Sequence, residues 1–202
     1  MKEDISIYRA LPSPESIEEV VDLYIEAFRQ KAVYLEFLTQ EIESIRAILR
    51  RTIHPEYGIY ALRSGQVIGF AGLDDGKHGI FMVPEWKPYV EVFGLFGGTW
   101  RYGTQKFFGG YKRHNSSTLR IDCLAVAGVA RGRGVGTQLL KSVFSYAEEL
   151  GRSAVSLEVV DTNPKARALY ERLEFRLTRE KHFGAVTRAA GFEALHFMLK
   201  EL

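Results

Sequence analysis

The chain has 202 residues, a formal net charge of +2, and 46% hydrophobic and 26% charged residues, an ordinary balance for a globular protein. That length suits one domain that buries roughly 70% of its unfolded surface, and so small a charge gives no ground for nucleic acid or an anionic membrane as the main partner. The single cysteine, Cys123, excludes an intrachain disulfide and a cysteine zinc cluster, and no apolar run reaches membrane-spanning length.

The start, Met1-Lys-Glu-Asp-Ile-Ser6, carries no apolar signal segment, so a cytoplasmic enzyme or binding domain is the expectation. Ile5 and Ile7 predict a first short strand, closed by Leu11-Pro-Ser-Pro14. Ser16 with Glu19 three positions on has the spacing of a capping box. The helix it opens carries an apolar stripe of Ile17, Val20, Val21, Tyr24, Ile25 and Phe28. A second helix is predicted over Leu38 to Arg51, with Ile42, Ile45, Ile48 and Leu49 inward, ending before His54-Pro55. Tyr57 to Leu62 and Val67 to Leu73 read as a hairpin joined by Arg63-Ser-Gly-Gln66. His54 and His78 have no partner at metal-ligand spacing and read as solvated; no metal site is expected.

Residues 76–116 mix aromatics, among them Phe81, Trp86, Tyr89, Phe93, Phe96, Trp100, Tyr102, Phe107, Phe108 and Tyr111, with repeated glycines. Val92, Phe93, Phe96 and Trp100 have helical spacing, which the glycines oppose. Lys106, Lys112, Arg113 and His114 add positive charge. Stacking on single-stranded nucleic acid, packing of the rings on the sheet, and a substrate-facing lid or dimer surface are the three readings of this long segment. The second carries most weight.

Thr118 to Val126 is predicted as a strand leading into Ala127-Gly-Val-Ala-Arg131-Gly-Arg-Gly134-Val-Gly136-Thr137. Val135, Leu139, Leu140, Val143, Phe144, Ala147 and Leu150 then form one helix face, and Gly151 suits a left-handed cap. Gly132, Gly134 and Gly136 therefore sit where a strand becomes a helix whose first N–H groups lack internal partners. Such a place can bind phosphate, with Arg131 and Arg133 adding charge; a tight turn with two solvated arginines is the alternative. No Gly-Lys-Ser/Thr ending or G-x-G-x-x-G order is present, which disfavours a nucleotide-triphosphate loop and a dinucleotide fold.

Ser153 to Val160 is the next strand, and the strand–helix–strand order implies a parallel pair. Asn163-Pro164 fits the N-cap and first residue of a helix running through Leu169, Tyr170 and Leu173. Phe175 to His182 and Phe192 to Leu199 read as two antiparallel strands.

Two stretches, Arg131-Gly-Arg-Gly134-Val-Gly136 and Asn163-Pro-Lys-Ala166-Arg-Ala-Leu-Tyr170 with Phe175 beyond, stand in a set order and spacing. Together they resemble the GNAT superfamily of acyl-CoA-dependent N-acyltransferases, over about residues 118–180. The resemblance implies one domain over residues 1–202, with residues 76–116 as an insertion. It implies an α/β (α+β) fold: a mixed, mostly antiparallel central sheet with helices on both faces and a parallel pair splayed at the acyl-CoA site. Backbone N–H groups of Arg131, Gly132, Arg133, Gly134, Val135, Gly136 and Thr137 would bind the pyrophosphate of coenzyme A. Leu124, Ala125 and Val126 would pair with pantetheine, Asn163 would hydrogen-bond it, Ala166 would belong to the same cofactor-binding set, and an N–H near Leu124 would polarise the thioester. Tyr170 would protonate the departing thiolate, and Glu158 is the first candidate for the base that deprotonates the amine. Asp122, read as sharing a strand face with Leu124, is the second. Glu158 as a solvated strand residue, Asp122 paired with Arg120 or Arg152, and Tyr170 as a packed tyrosine are the structural alternatives. The expected activity is acetyl transfer from acetyl-CoA to an amine of a small molecule or protein. The alternative is a non-catalytic acyl-CoA-binding module. Cys123 is read as a buried strand residue, and a second copy of the chain is a candidate partner. The family usually has glycine where this chain has Glu174, so the end of that helix must reach positive φ without glycine's freedom.

Overall fold

The computed structural model describes residues 5–81, 85–109 and 117–202, with the backbone alone for residues 107–109. Tyr111, Lys112, Arg113 and His114 of the aromatic and basic segment lie outside the described residues, as do Met1 to Asp4.

The strands are β1 (Ser6–Tyr8), β2 (Gly58–Arg63), β3 (Gln66–Asp74), β4 (Thr118–Val126), β5 (Ala154–Val160), β6 (Arg176–His182) and β7 (Ala194–Glu201). They form one sheet in the order β1-β2-β3-β4-β5-β7-β6. Every pairing is antiparallel except β4 with β5, as the strand–helix–strand order predicts. The two-residue turn between β2 and β3 has positive φ at both Ser64 and Gly65, the twist that tight hairpins favour.

Among the described residues there are five α-helices: α1 (Ser16–Lys31), α2 (Ile42–Thr52), α3 (Lys87–Gly109), α4 (Val135–Glu149) and α5 (Pro164–Arg172). One core joins Val20, Val21, Tyr24 and Ile25 of α1, Ile45, Ile48 and Leu49 of α2, and Tyr89 of α3 to Tyr60, Phe70, Cys123 and Ala125 of the sheet. The other joins Val135, Leu139, Leu140, Val143 and Ala147 of α4 and Tyr170 of α5 to Leu119, Ile121, Val155, Leu157 and Val159. The sheet is thus the middle layer, with α1 and α2 on one face and α4 and α5 on the other.

Three local expectations change. Ser16 is buried in the first turn and caps nothing; Glu19 does not reach back to it but accepts the backbone N–H of Val67 at 2.9 Å, tying α1 to β3. The second helix begins at Ile42 rather than Leu38. Between α1 and α2 the chain first makes a wide π-helical turn over Ala32–Glu36, and Leu38 takes a φ of 51°. The segment after β3 is largely helical, but Gly94, at φ 73° and ψ 171°, breaks α3 into two pieces. Its Tyr89 is buried in the α1–α2 core, while Leu95, Phe96 and Trp100 face outward.

α3 also pins the α1–α2 connection. Arg101 donates from Nε to the carbonyl of Phe37 (2.8 Å) and from Nη2 to that of Leu38 (3.1 Å), with its guanidinium over the Phe93 ring. These charge-assisted bonds hold the strained Leu38 backbone in place. Arg101→Ala is therefore expected to destabilise the fold by about 2 kcal/mol, measured as a lower denaturant midpoint with an unchanged m-value.

Candidate active site

β4 and β5 pair from Thr118↔Ala154 to Ile121↔Leu157. Beyond that point both strands continue, β4 to Val126 and β5 to Val160, with no further pairing between them. The result is a V-shaped opening in the middle of the sheet. Along an antiparallel strand, backbone groups alternate between the two neighbours. Ala127 gives its N–H to the carbonyl of Ile68 in β3, so Ala125 and Cys123 also turn toward β3, while Leu124 and Val126 turn into the V. The backbone of Ala125, expected beside its neighbours at the open edge, is thus committed to the pairing with Phe70. The carbonyl of Val126 accepts Arg131 Nε at 2.9 Å, consistent with that outward turn.

A bulge sets the faces. Gly72 pairs with Cys123 and Leu73 with Ile121, which makes Asp122 the extra residue of the bulge. The extra residue reverses the alternation. Leu124 packs against the α4 core, whereas Asp122 bears electrostatically on Tyr24 and Lys31 of α1. Asp122 and Leu124 therefore occupy opposite faces. The expectation that they share one fails because a bulge is written jointly by two strands.

At the far end of β4, Gly132 (φ 75°) and Gly134 (φ 83°) take left-handed conformations that a side chain would strain. Gly134 precedes α4, whose first internal bond runs from Gln138 N–H to Gly134 O. The N–H groups of Val135, Gly136 and Thr137 thus have no carbonyl one turn back. Gly136 serves packing instead: a Cβ there would lie 3.1 Å from Leu169, so its absence lets α5 lie against the first turn of α4. Arg131 also approaches Glu26 of α1 (3.5 Å). At the other end, Gly151 closes α4 as expected, with Arg152 N–H bonded to Ala147 O.

α5 begins as its sequence predicts, with Asn163 Oδ1 accepting the N–H of Ala166 at 3.1 Å and Pro164 in the first turn. It ends in the same kind of left-handed cap, but with glutamate: Glu174 sits at φ 68°. Phe175 N–H reaches back to Tyr170 O (3.0 Å), and the rings of Tyr170 and Phe175 meet edge-on at 5.8 Å. Tyr170 is only 7% exposed, and burial pushes its phenol up to about 12. It is protonated throughout the neutral range. Burial likewise raises the Cys123 thiol far above its usual value, which removes it as a nucleophile.

The α1 side of the V is charged. Arg120 Nη2 bonds Asp74 and also Asp122 (2.6 Å), and its Nη1 is 4.0 Å from Glu158. The Asp122 side chain is 19% exposed and that of Glu158 38%. Facing them, Glu36 accepts the Tyr24 hydroxyl (2.6 Å) and pairs with Lys31 (2.8 Å). Tyr170 lies in the other core, on the α4–α5 side. Asp74, Glu36 and Lys31 were not singled out by the sequence, and Arg120 only as a partner for Asp122. The one legible signal was the pair of charges, Arg120 and Asp122, inside an otherwise apolar strand. Among the described residues, no three His, Cys, Asp or Glu side chains are grouped so as to hold a metal ion.

The family model of the acetyltransferase (GNAT) family matches residues 17–175. Human N-acetyltransferase 8B is 29% identical over 80 residues, which make up 40% of this chain and 35% of that protein, so the match spans about a third of that relative. The fold is similar to the N-acetyltransferase of Staphylococcus aureus Mu50 (TM-score 0.66, 18% identity, 96% of this chain and 100% of that one). It is also similar to a GCN5-related N-acetyltransferase of Kribbella flavida (TM-score 0.62, 19% identity, all of both chains). A third similar structure is yncA of Salmonella typhimurium, solved with its cofactor acetyl-CoA (TM-score 0.58, 16% identity, 98% of this chain and 94% of that one).

The left-handed glutamate at the end of α5 generates a test of stability. Glu174 gains from Lys200 (2.7 Å), but its carboxylate is 81% exposed, and a pair with so solvated a partner offsets little of the backbone strain. Glu174→Gly is expected to raise Tm by about 2–4 °C, read by thermal unfolding.

Proposed function

The chain belongs to the GNAT acetyltransferase family, and on that premise we propose that it moves an acetyl group from acetyl-CoA to a primary amine by direct attack in a ternary complex. The observation that carries the reading is the V between β4 and β5, open from Asp122 onward and leading to the glycine loop.

The residues present fit an extended thioester carrier with a diphosphate. Leu124 and Val126 turn backbone groups into the V, as a partner strand of amides would require. The unpaired N–H groups of Val135, Gly136 and Thr137, at the positive end of the α4 dipole, suit the diphosphate. Gly132 and Gly134 keep that approach free of side chains, and Arg131 and Arg133 add positive charge beside it. Asn163, whose Oδ1 is used as a cap, retains its amide donor for the pantetheine. When bound, acetyl-CoA supplies an activated acyl carbonyl.

The reaction forms a C–N bond and breaks a C–S bond. The incoming amine loses a proton, and the departing sulfur gains one. Glu158, half-exposed and only loosely paired with Arg120, takes the proton from the amine, directly or through water. Asp122 is more enclosed and more tightly held, which makes it the second candidate. Tyr170, protonated and on the opposite face of the V, gives its proton to the sulfur. The N–H of Leu124 faces the charge that develops on the carbonyl oxygen. Base and acid on opposite faces allow the amine to enter from one side while the thiol is protonated on the other.

Calorimetry with acetyl-CoA and assays that read free thiol across a panel of amines test this. Glu158→Gln and Tyr170→Phe are expected to lower kcat by about 100-fold or more while the acetyl-CoA Kd stays within about threefold. Gly134→Ala is expected to weaken that Kd by about tenfold, since one strained residue costs on the order of 1–2 kcal/mol. No binding heat at millimolar acetyl-CoA overturns the reading, and full activity in both catalytic variants overturns the roles.

A further inference from the structure

Arg120 has a partner set that a simple structural ion pair does not need. One guanidinium, 18% exposed, serves carboxylates from three adjacent strands: Asp74 on β3, Asp122 on β4 and Glu158 on β5. The geometry follows from strand register. Residues 120 and 122 lie two apart on one face of β4, and Asp74 is the direct β3 partner of Arg120. Ser156 is opposite Arg120 and Leu157 opposite Ile121 in the parallel ladder, so Glu158 stands diagonally across at the first step where the strands separate. The cation therefore sits at the apex of the V, between the two carboxylates weighed as the base.

We propose that Arg120 is a positioning residue for the transfer, holding the Glu158 and Asp122 carboxylates at the apex of the V so that one is placed to accept the amine proton. The proposal rests on the reading of this site as the place of acetyl transfer. Its physics is like-charge repulsion. Three carboxylates brought this close without a cation share a proton, because the last to ionise does so against two negative neighbours. A neighbouring cation cancels much of that effect. Burial opposes the charge on Arg120, but Asp122 and then Asp74 more than compensate, so the guanidinium stays charged.

The surrounding charges do not replace it. On α1 and the turn after it, Lys31 is paired with Glu36, which also accepts the Tyr24 hydroxyl. On β4, the Cys123 thiol is neutral. On β7, the residue opposite Glu158 is Phe197, and on β6 the guanidinium of Arg179 lies over that ring. Asp74 has a further duty, accepting the N–H of Gly76 at 2.7 Å, which an asparagine can keep.

The decisive measurement is kcat/KM for acetyl transfer as a function of pH, with acetyl-CoA Kd and Tm alongside. Arg120→Gln is expected to lower activity at pH 7 by about tenfold and to move the acidic limb up by about one unit or more, with activity recovering toward pH 9. Its acetyl-CoA Kd stays within about threefold. Arg120→Lys is expected to hold the limb near its original place. Asp74→Asn, which removes a negative neighbour, is expected to move the limb down. That opposite direction distinguishes charge positioning from loss of structure, and it remains readable if Arg120→Gln folds poorly. An unmoved limb in both Arg120→Gln and Asp74→Asn, or a uniform loss at every pH that lysine does not rescue, overturns the proposal. Failure of the underlying reading looks different: the unsubstituted protein would give no binding heat with acetyl-CoA and no transfer, or Glu158→Gln and Asp122→Asn would each retain full activity.

Discussion

The separation of β4 from β5 after Ile121↔Leu157 is the constraint on which the rest of this structure depends. Backbone N–H and C=O groups inside a protein are seldom left without partners, because burying an unpaired one costs about as much as losing a hydrogen bond. Two central strands that stop pairing midway therefore need a reason. Part of the deficit is met within the chain, where Arg131 donates to Val126 O. The groups of Leu124 remain directed into the gap. A ligand with amides at strand spacing would satisfy them as a third strand would, which is why the extended carrier proposed above suits a sheet that opens here.

The bulge at Asp122 solves a second problem with one residue. A regular β4 would place Asp122, Leu124 and Val126 on a single face, crowding a carboxylate against the apolar α4 core. The extra residue lets Ile121 and Leu124 serve the α4–α5 side while Arg120, Asp122 and Cys123 serve the α1 side. The same strand then borders the opening with main-chain groups along its edge and with its one carboxylate, Asp122, on one face only. Tyr170 approaches from the other face, held by the cap that bonds Phe175 N–H to its carbonyl. Proton acceptor and proton donor, as proposed, are separated by the thickness of the sheet.

How much of this was legible in the sequence depends on how local each feature is. β4 was read with its observed limits, Thr118–Val126, because apolar residues alternate along it. The caps at Asn163 and Gly151 were legible because each is decided within a few residues. The Ser16–Glu19 spacing does not reveal the true partner of Glu19, because Val67 is a strand N–H far along the chain and this tertiary bond displaces the local one. The face of Asp122 is not legible within β4, because the bulge exists only relative to Gly72 and Leu73. Leu38 at positive φ had no local signal at all; Arg101, donating from α3, holds it there. The cluster around Arg120 draws on β3, β4 and β5, so no single window of residues contains it.

The two sides of the opening are consequently built from different materials. The side assigned to the carrier is made of main-chain groups, a helix terminus and glycines, whose demands are the same for any protein that grips a diphosphate and two amides. Those demands leave a spacing that can be read directly: Gly134 and Gly136 after β4, then Asn163 and Tyr170. The α1 side is made of side chains: the Lys31–Glu36–Tyr24 set, the Arg120 cluster and the turn that Arg101 clamps from α3. Side chains can be exchanged without disturbing the sheet, provided each buried charge keeps a partner. If the acceptor enters on this side, as proposed, its nature is recorded in pairings across elements rather than in any motif, and α3 bears on that side through Arg101, which clamps the turn beside Glu36.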